Sequence, residues 1–407
     1  MKKIISLLII LLPLSLISQT RYIDSLFNVV VTHDIMYGNN TTWDGSEYDL
    51  LMDIYQPEDD DLQQRPIIIF AHGGSFLFGS KENPSMVKLC TAFAQMGYVT
   101  ASINYRLGVD YFNVIGGNGD IEFLYASLRG THDMRAAIRY FREDAYNNNN
   151  YKIDTNNIFA GGSSAGAFMS LHTAYLDKLS EIPEQITNIE ELGGIEGNSG
   201  NAGYLSTVKC AISLCGAIGD TSWIEENNTP LISMHGNADG AVPYGTGYVE
   251  LFDIPVYEVY GSEPINNRCN NINIPNNFHT FVGQDHVPYD PLVGSSEHEL
   301  YMDTTITFIK YSLYNYFFGT ITYNKQTVAE NIYISPNPCS GSFTINNVNN
   351  SFTSYTIYNI NGTELENKTL NKTLNNNTVV NTNLKNGIYL IALKSSNTQI
   401  IKKIIIQ

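Results

Sequence analysis

From about Tyr48 the chain alternates between short apolar runs and longer stretches of helical period. YDLLMDIY and PIIIFAH open the series, and the second is an uninterrupted apolar run suited to a central parallel strand covered on both faces. A helix is expected over about Ser85–Met96, followed by the strand YVTASINY. In LRGTHDMRAAIRYFRED the residues Met134, Ala137, Ile138 and Phe141 recur on one side of a helix. NIFAGG reads as a strand leading into a helix from about Ala165, and VKCAISLCG, PLISMHG and FHTFV read as further strands. The last helical pattern runs roughly from Ser296 to Phe317, with Leu300, Ile306, Phe308, Ile309 and Leu313 as its apolar members. Regular strand–helix alternation of this kind predicts an α/β fold with a mostly parallel central sheet. The Asn-rich run Tyr146–Tyr151 is a polar connector, and Glu181–Tyr204, rich in Gly, Asn and Glu, reads as a loop inserted above the sheet.

Near residue 320 the period changes from helical to two. FTINNV, SYTIYNI, GIYLIAL and IIKKIIIQ alternate in the strand manner, and Asn361-Gly362 and Asn386-Gly387 mark tight turns. A small β-sandwich over residues 329–407 is expected, joined by a linker at 321–328 to the α/β region at 19–320. At the other end, MKKIISLLIILLPLSLIS places two lysines before a short apolar stretch and a small residue, the order of a signal peptide over 1–18. That stretch is shorter than the roughly 20 residues of a membrane span, so no transmembrane anchor is expected in the mature chain.

Composition narrows the classes of function. The chain has 407 residues, 43% hydrophobic and 12% aromatic, enough for a sizeable core in two or three domains. Its formal net charge is −17 and it has no long basic run, which argues against nucleic acid as a partner. Only 15% of residues are charged, as suits an exported surface made polar by Asn, Ser and Thr. The five cysteines show neither CxxC nor zinc-ligand spacing, so no metal is expected. Cys210 and Cys215 are read as small buried residues whose odd separation points them to opposite sheet faces, leaving room for one disulfide among the other three.

Two glycine-rich stretches carry the candidate chemistry. Gly162-Ser163-Ser164-Ala165-Gly166 fits G-x-S-x-G between a strand and a helix, a sharp turn that exposes the serine hydroxyl. The next backbone N–H, from Ala165, then lies at a helix N-terminus, where it suits an oxyanion. Gly161-x-Ser163-x-Ala165 also fits and would make Ser163 the nucleophile; Ser164 is favoured because Gly166 then takes the crowded position. His72-Gly73-Gly74-Ser75-Phe76 follows an apolar strand, and consecutive glycines let several N–H groups converge. Gly74 and Ser75 are the expected donors there, with Ala165 as the third.

With DIYQP, RPIIIFAHGGSFLFGSK, Asn104–Leu107, HGNAD and DHVPY, these motifs resemble the α/β-hydrolase superfamily over roughly residues 40–318. Within it they are similar to the carboxylesterase branch that includes feruloyl and acetyl-xylan esterase-like proteins. The resemblance implies ester hydrolysis with no cofactor, and a chain order of nucleophile, acid, then base. Of the late histidines, His279 sits inside a strand and His298 opens a helix, so His286 is the expected base. Asp239, after the strand PLISMHG, is the favoured acid, with Asp220 as its rival and Asp253 and Asp285 as turn or helix residues. His72 and His235, beside glycines at strand ends, are read as structural; Trp223 and the Glu181–Tyr204 loop border the site or pack elsewhere.

The C-terminal region resembles the sorting domain of type IX secretion cargo. The matching residues are Ser335-Pro336-Asn337-Pro338, Gly341-Ser342-Phe343, Tyr358-Asn359 with Asn361-Gly362, Leu384–Tyr389 and a lysine-bearing last strand. That resemblance implies the type IX secretion machinery as a partner and an extracellular or outer-membrane-surface location. The expected activity is thus a secreted serine esterase acting on short-acyl or carbohydrate-linked esters. A prolyl-oligopeptidase-type peptidase and a surface binding protein on an inactive hydrolase scaffold are the alternatives.

Overall fold

The computed structural model describes residues 20–319, 333–346, 352–359, 364–369, 378–395 and 399–407. The expected signal peptide, the linker and the Asn361-Gly362 turn lie outside them. The chain divides into two compact units, Met1–Ile321 and Thr322–Gln407.

In the first unit the strands and helices are, in chain order, β1 (Val29–Thr41), β2 (Glu47–Pro57), β3 (Arg65–Ala71), α1 (Pro84–Gln95), β4 (Val99–Ile103), α2 (Tyr111–Asn113), α3 (Gly119–Asn147), β5 (Ile153–Ser163) and α4 (Ala165–Tyr175). There follow β6 (Cys210–Leu214), β7 (Leu231–Gly236), β8 (Thr246–Leu251), β9 (Ile254–Tyr260), α5 (Ser262–Asn271), β10 (Asn276–Phe281) and α6 (His298–Phe317). Eight strands form one sheet in the order β1-β2-β4-β3-β5-β6-β7-β10. The pairs β1–β2 and β2–β4 are antiparallel and the rest are parallel. This is the α/β-hydrolase-like arrangement, with a mostly parallel centre.

Every residue of β3, β4, β6 and β7 is buried, because helices cover both faces of the sheet. Alternate residues of β3 feed two apolar layers. Ile67, Ile69 and Ala71 join Ala137, Ile138 and Phe141 of α3, whereas Ile68 and Phe70 join Leu89 and Phe93 of α1 and Ile309 and Leu313 of α6. The Asn83 side chain caps α1, accepting from the Ser85 and Met86 amides at 3.0 and 3.3 Å.

Several local expectations change. Leu300 faces solvent at 60% exposure, and Met302 is the buried residue of that turn of α6. Cys215 leaves β6 with φ +56°, and that bend brings it into the same apolar layer as Cys210 instead of the opposite face. All five cysteines are buried and unpaired; Cys90, Cys269 and Cys339 lie in three different apolar clusters, so none bonds another.

The Glu181–Tyr204 loop is fastened to α3 and does not border the cavity described below. Arg139 donates to the carbonyls of Glu196 and Gly200 at 2.8 and 3.0 Å, and Arg135 donates to those of Ile195, His172 and Leu176. Ser199 Oγ donates to Asp133 at 2.6 Å, within the buried Arg106–Asp133 ion pair. The antiparallel β8–β9 hairpin, which the helical and strand periods do not announce, borders that cavity instead, through Val249–Asp253.

The second unit is β-rich. A three-stranded sheet holds β11 (Tyr333–Ser335), β12 (Ser342–Asn346) and, next in that sheet, Thr378–Asn381. A four-stranded antiparallel sheet pairs Glu364–Thr369, Phe352–Asn359, Gly387–Ser395 and Gln399–Ile406. Alternation sends Phe343, Ile345, Tyr355, Ile357, Ile391, Leu393, Ile404 and Ile406 into one shared core.

Candidate active site

Ser164 occupies the junction of β5 and α4 with φ 53° and ψ −118°, a conformation that costs a non-glycine residue about 1–3 kcal/mol. The surrounding backbone enforces it. A Cβ on Gly162 would lie 2.2 Å from the Gly166 carbonyl oxygen, and one on Gly166 would lie 2.1 Å from that of Ala71. Both positions therefore admit only glycine, and the turn between them is as tight as the G-x-S-x-G spacing requires. Ser163, the rival in the sequence, ends β5 buried, with its Oγ 2.7 Å from Tyr289 Oη.

Ser164 Oγ lies 2.8 Å from His286 Nε2, and His286 Nδ1 lies 2.7 Å from Asp239 Oδ2. The three residues expected from the sequence thus form one hydrogen-bonded chain. Asp239 Oδ1 accepts from the amides of Ala241 and Val242 at 2.9 and 2.8 Å, so both carboxylate oxygens are engaged. Burial pushes the Asp239 carboxyl up, but hydrogen bonds with His235 and His286 outweigh it and hold the group well below the ordinary range. It stays an anion at any ordinary pH, and an anion there fixes the Nδ1–H tautomer of His286 and leaves Nε2 as the acceptor for the Ser164 hydroxyl.

The other candidates sit elsewhere. Asp220 is exposed and accepts from the Ser222 amide. Asp253 lies in the turn of the β8–β9 hairpin, His279 packs against Phe281 and Phe308, and His298 lies beside Glu299 at the start of α6. Asp285 is exposed, yet its Oδ1 accepts from the Gly240 and His286 amides at 2.9 and 2.7 Å. It therefore ties the loop that bears the acid to the loop that bears the histidine, a role a solvated turn residue does not have.

After β3 the chain turns sharply through Gly74, Ser75 and Phe76, with φ of 120°, 54° and 60°. The amides of Leu77 and Phe78 bond back to the Gly74 carbonyl. The loop abuts the serine: a Cβ on Gly73 would lie 3.1 Å from that of Ser164. His72 supports the loop from beneath. Burial pulls its imidazole down to about 4, so it is neutral, and its Nδ1 lies 2.6 Å from the Gly73 carbonyl oxygen. Tyr105 stacks on its ring at 4.4 Å.

Gly74, Ser75, Ser164, Ala165 and His286 line one cavity of about 900 Å³. Phe123, Phe168, Val249 and Leu251 give it apolar walls, and Phe78, Phe252, Leu292 and Val293 stand exposed where it opens. The hairpin residues were missed from sequence because the two turn residues, Phe252 and Asp253, both take positive φ without the usual Asn-Gly signal. Trp223 is absent from this lining and packs on His172 at 5.5 Å between rings. Cys215, Asp239 and His286 group three atoms of metal-ligating type. Burial pushes the Cys215 thiol up to about 12, so it stays protonated, and the other two are already bonded to each other. That donor set does not fit a metal.

Comparison with known proteins follows this geometry. Residues 52–197 match the profile of the BD-FAE family, and residues 331–407 match that of the secretion system C-terminal sorting domain. Among solved structures, Thermogutta terrifontis esterase 2 phosphorylated by paraoxon is 19% identical with a TM-score of 0.50, covering 72% of this chain and 96% of its own. The same esterase phosphoramylated by tabun is 19% identical with a TM-score of 0.51, covering 72% and 97%. Its butyrate-bound form is 20% identical with a TM-score of 0.50, covering 70% and 95%. At such identity the likeness speaks for the fold alone. No described helix is long and apolar enough to cross a membrane. The chain thus carries a region matching the BD-FAE family within an α/β-hydrolase-like fold, followed by a region matching the secretion system C-terminal sorting domain.

Proposed function

We propose that this protein is an exported carboxylic ester hydrolase that works through an acyl-serine, with Ser164 as nucleophile, His286 as general base and Asp239 as the acid that orients it. The observation that carries this reading is the unbroken chain Ser164–His286–Asp239, opening into an apolar cavity beside a glycine-rich loop. His286 Nε2 takes the hydroxyl proton as Ser164 Oγ attacks the ester carbonyl. The oxyanion rests on the N–H groups of Gly74, Ser75 and Ala165. Collapse of the tetrahedral intermediate expels the alcohol, which receives the proton from His286. Water, activated by the same histidine, then releases the acid and frees Ser164.

Apolar walls at Phe123, Phe168, Val249 and Leu251 suit the acyl chain of a short-acyl or carbohydrate-linked ester. The sorting domain supports export through the type IX machinery to the cell surface or beyond.

The test is hydrolysis of nitrophenyl esters with acyl chains of increasing length, by wild type and Ser164→Ala. Serine-dependent turnover that is greatest for short chains is expected. Undiminished turnover in folded Ser164→Ala would overturn the assignment.

A further inference from the structure

His235, the penultimate residue of β7, is fully buried beside Asp239. Its Nε2 lies 3.1 Å from Asp239 Oδ2 and 3.1 Å from the Val242 carbonyl oxygen. Both neighbours are acceptors, so Nε2 must carry a hydrogen. Its Nδ1 lies 2.9 Å from Ser262 Oγ, the first residue of α5, which is also fully buried. In the neutral ring, Ser262 therefore donates to Nδ1 and selects the Nε2–H tautomer.

The four-residue loop from Asp239 to Val242 is thereby closed twice. The Asp239 carboxylate accepts from the Val242 amide, while His235 Nε2–H donates to the Val242 carbonyl with the carboxylate Oδ2 3.1 Å from the same nitrogen. The same oxygen, Oδ2, receives His286 Nδ1. The His235 and Tyr244 rings pack edge to face with centroids 5.7 Å apart.

We propose that His235, set in its tautomer by Ser262, is a positioning residue for the reaction: its Nε2–H clamps the Asp239 carboxylate and the Val242 carbonyl and aims Oδ2 at His286. This rests on the reading of Ser164, His286 and Asp239 given under Proposed function, and it adds a second histidine to the one acid. A donor on Oδ2 draws charge from that oxygen. Its loss concentrates charge toward His286 and favours the protonated base, so the acid limb of the kcat/KM profile moves to higher pH. The other titratable groups facing the acid are the protonated Cys215 thiol at the end of β6 and the Tyr289 phenol, both held neutral by burial, and Asp285 at the loop's exposed side.

The experiment measures kcat, KM and the pH profile of the full chain with a nitrophenyl ester, for His235→Leu, His235→Gln, Ser262→Ala and Ser164→Ala. A Gln amide reaches the place of Nε2 and keeps a donor there. His235→Leu should lose about 10- to 100-fold in kcat, as outer partners of site residues commonly do, with KM little changed. Its acid limb should move to higher pH, His235→Gln should recover most of both effects, and Ser262→Ala should show a smaller shift of the same sign. If His235→Leu does not fold, Ser262→Ala and His235→Gln give the same reading: a shifted limb in the first, and near-wild-type behaviour in the second, support the clamp. Wild-type kcat and an unmoved limb in His235→Leu, or a loss of kcat with no shift and no recovery by Gln, would overturn it. Activity persisting in Ser164→Ala would instead overturn the underlying assignment, so the two failures are distinct.

Discussion

The turn at Ser164 and the loop at Asp239 bring their side chains to one point by opposite means. Ser164 is held by backbone alone, between Gly162 and Gly166, whose neighbours leave no room for a Cβ. Asp239 is held by polar contacts within its own loop, from the amides of Ala241 and Val242 and the ring of His235 four residues back, and by the ring of His286 47 residues on. One geometry is local and stiff. The other is a network in which each member is oriented by the rest, so it is lost in larger steps when one is removed. In the proposed mechanism the nucleophile must stand in a fixed place for attack, while the acid need only hold an imidazole that gains and gives up a proton in each half of the reaction.

The contrast can be broken at either end. The largest effect belongs to Ser164→Ala, which should lower kcat/KM by roughly 10⁴-fold or more. Its urea midpoint should match wild type, since the turn does not depend on the hydroxyl. Next comes Asp239→Asn, which keeps the shape but presents an amide to His286; kcat should fall about 10⁴-fold with KM little changed. Gly166→Ala attacks the backbone instead. The added Cβ would meet the Ala71 carbonyl at 2.1 Å, so urea unfolding should show a loss of about 3 kcal/mol. A drop-in alanine with wild-type stability would mean that close approach does not shape the turn.

The smallest effect concerns acid. The Asp239 carboxyl is held below its ordinary range in the folded chain, so its contribution to stability is complete above the unfolded value and fades as pH falls toward the folded one. The gap in urea midpoint between wild type and Asp239→Asn should therefore narrow between about pH 7 and about pH 3. A gap that widened with acid would contradict the stated sign.

The same contrast explains what could be read from the sequence. A local, backbone-held feature leaves its mark in consecutive residues: the glycines around Ser164, the apolar run of β3, the helical spacing of α3. Features held by side-chain hydrogen bonds and contacts leave little trace. Nothing in GQDHVPYD announces that Asp285 bonds the Gly240 amide, and nothing in SMHG announces that His235 reaches Asp239. The Glu181–Tyr204 loop was readable as an insertion, but its place was not, because α3 arginines grip its carbonyls and carbonyls belong to every residue alike. Strand β1 carries little signal because all of its 13 residues but the buried Tyr37 are exposed or half-buried at the edge of the sheet, in loose alternation. Strand parity places Cys215 on the wrong face, since the strand ends one residue before it.

The measurement closest to the central claim is the mass of the intact protein, and of its Ser164 peptide, after exposure to paraoxon. An activated serine displaces nitrophenolate from this phosphotriester and keeps the phosphoryl group. The expected result is a single diethylphosphoryl adduct on Ser164, formed in step with loss of esterase activity and absent from Ser164→Ala and His286→Ala. An adduct on another residue, or full inactivation with Ser164 unmodified, would contradict the assignment of Ser164 as the nucleophile.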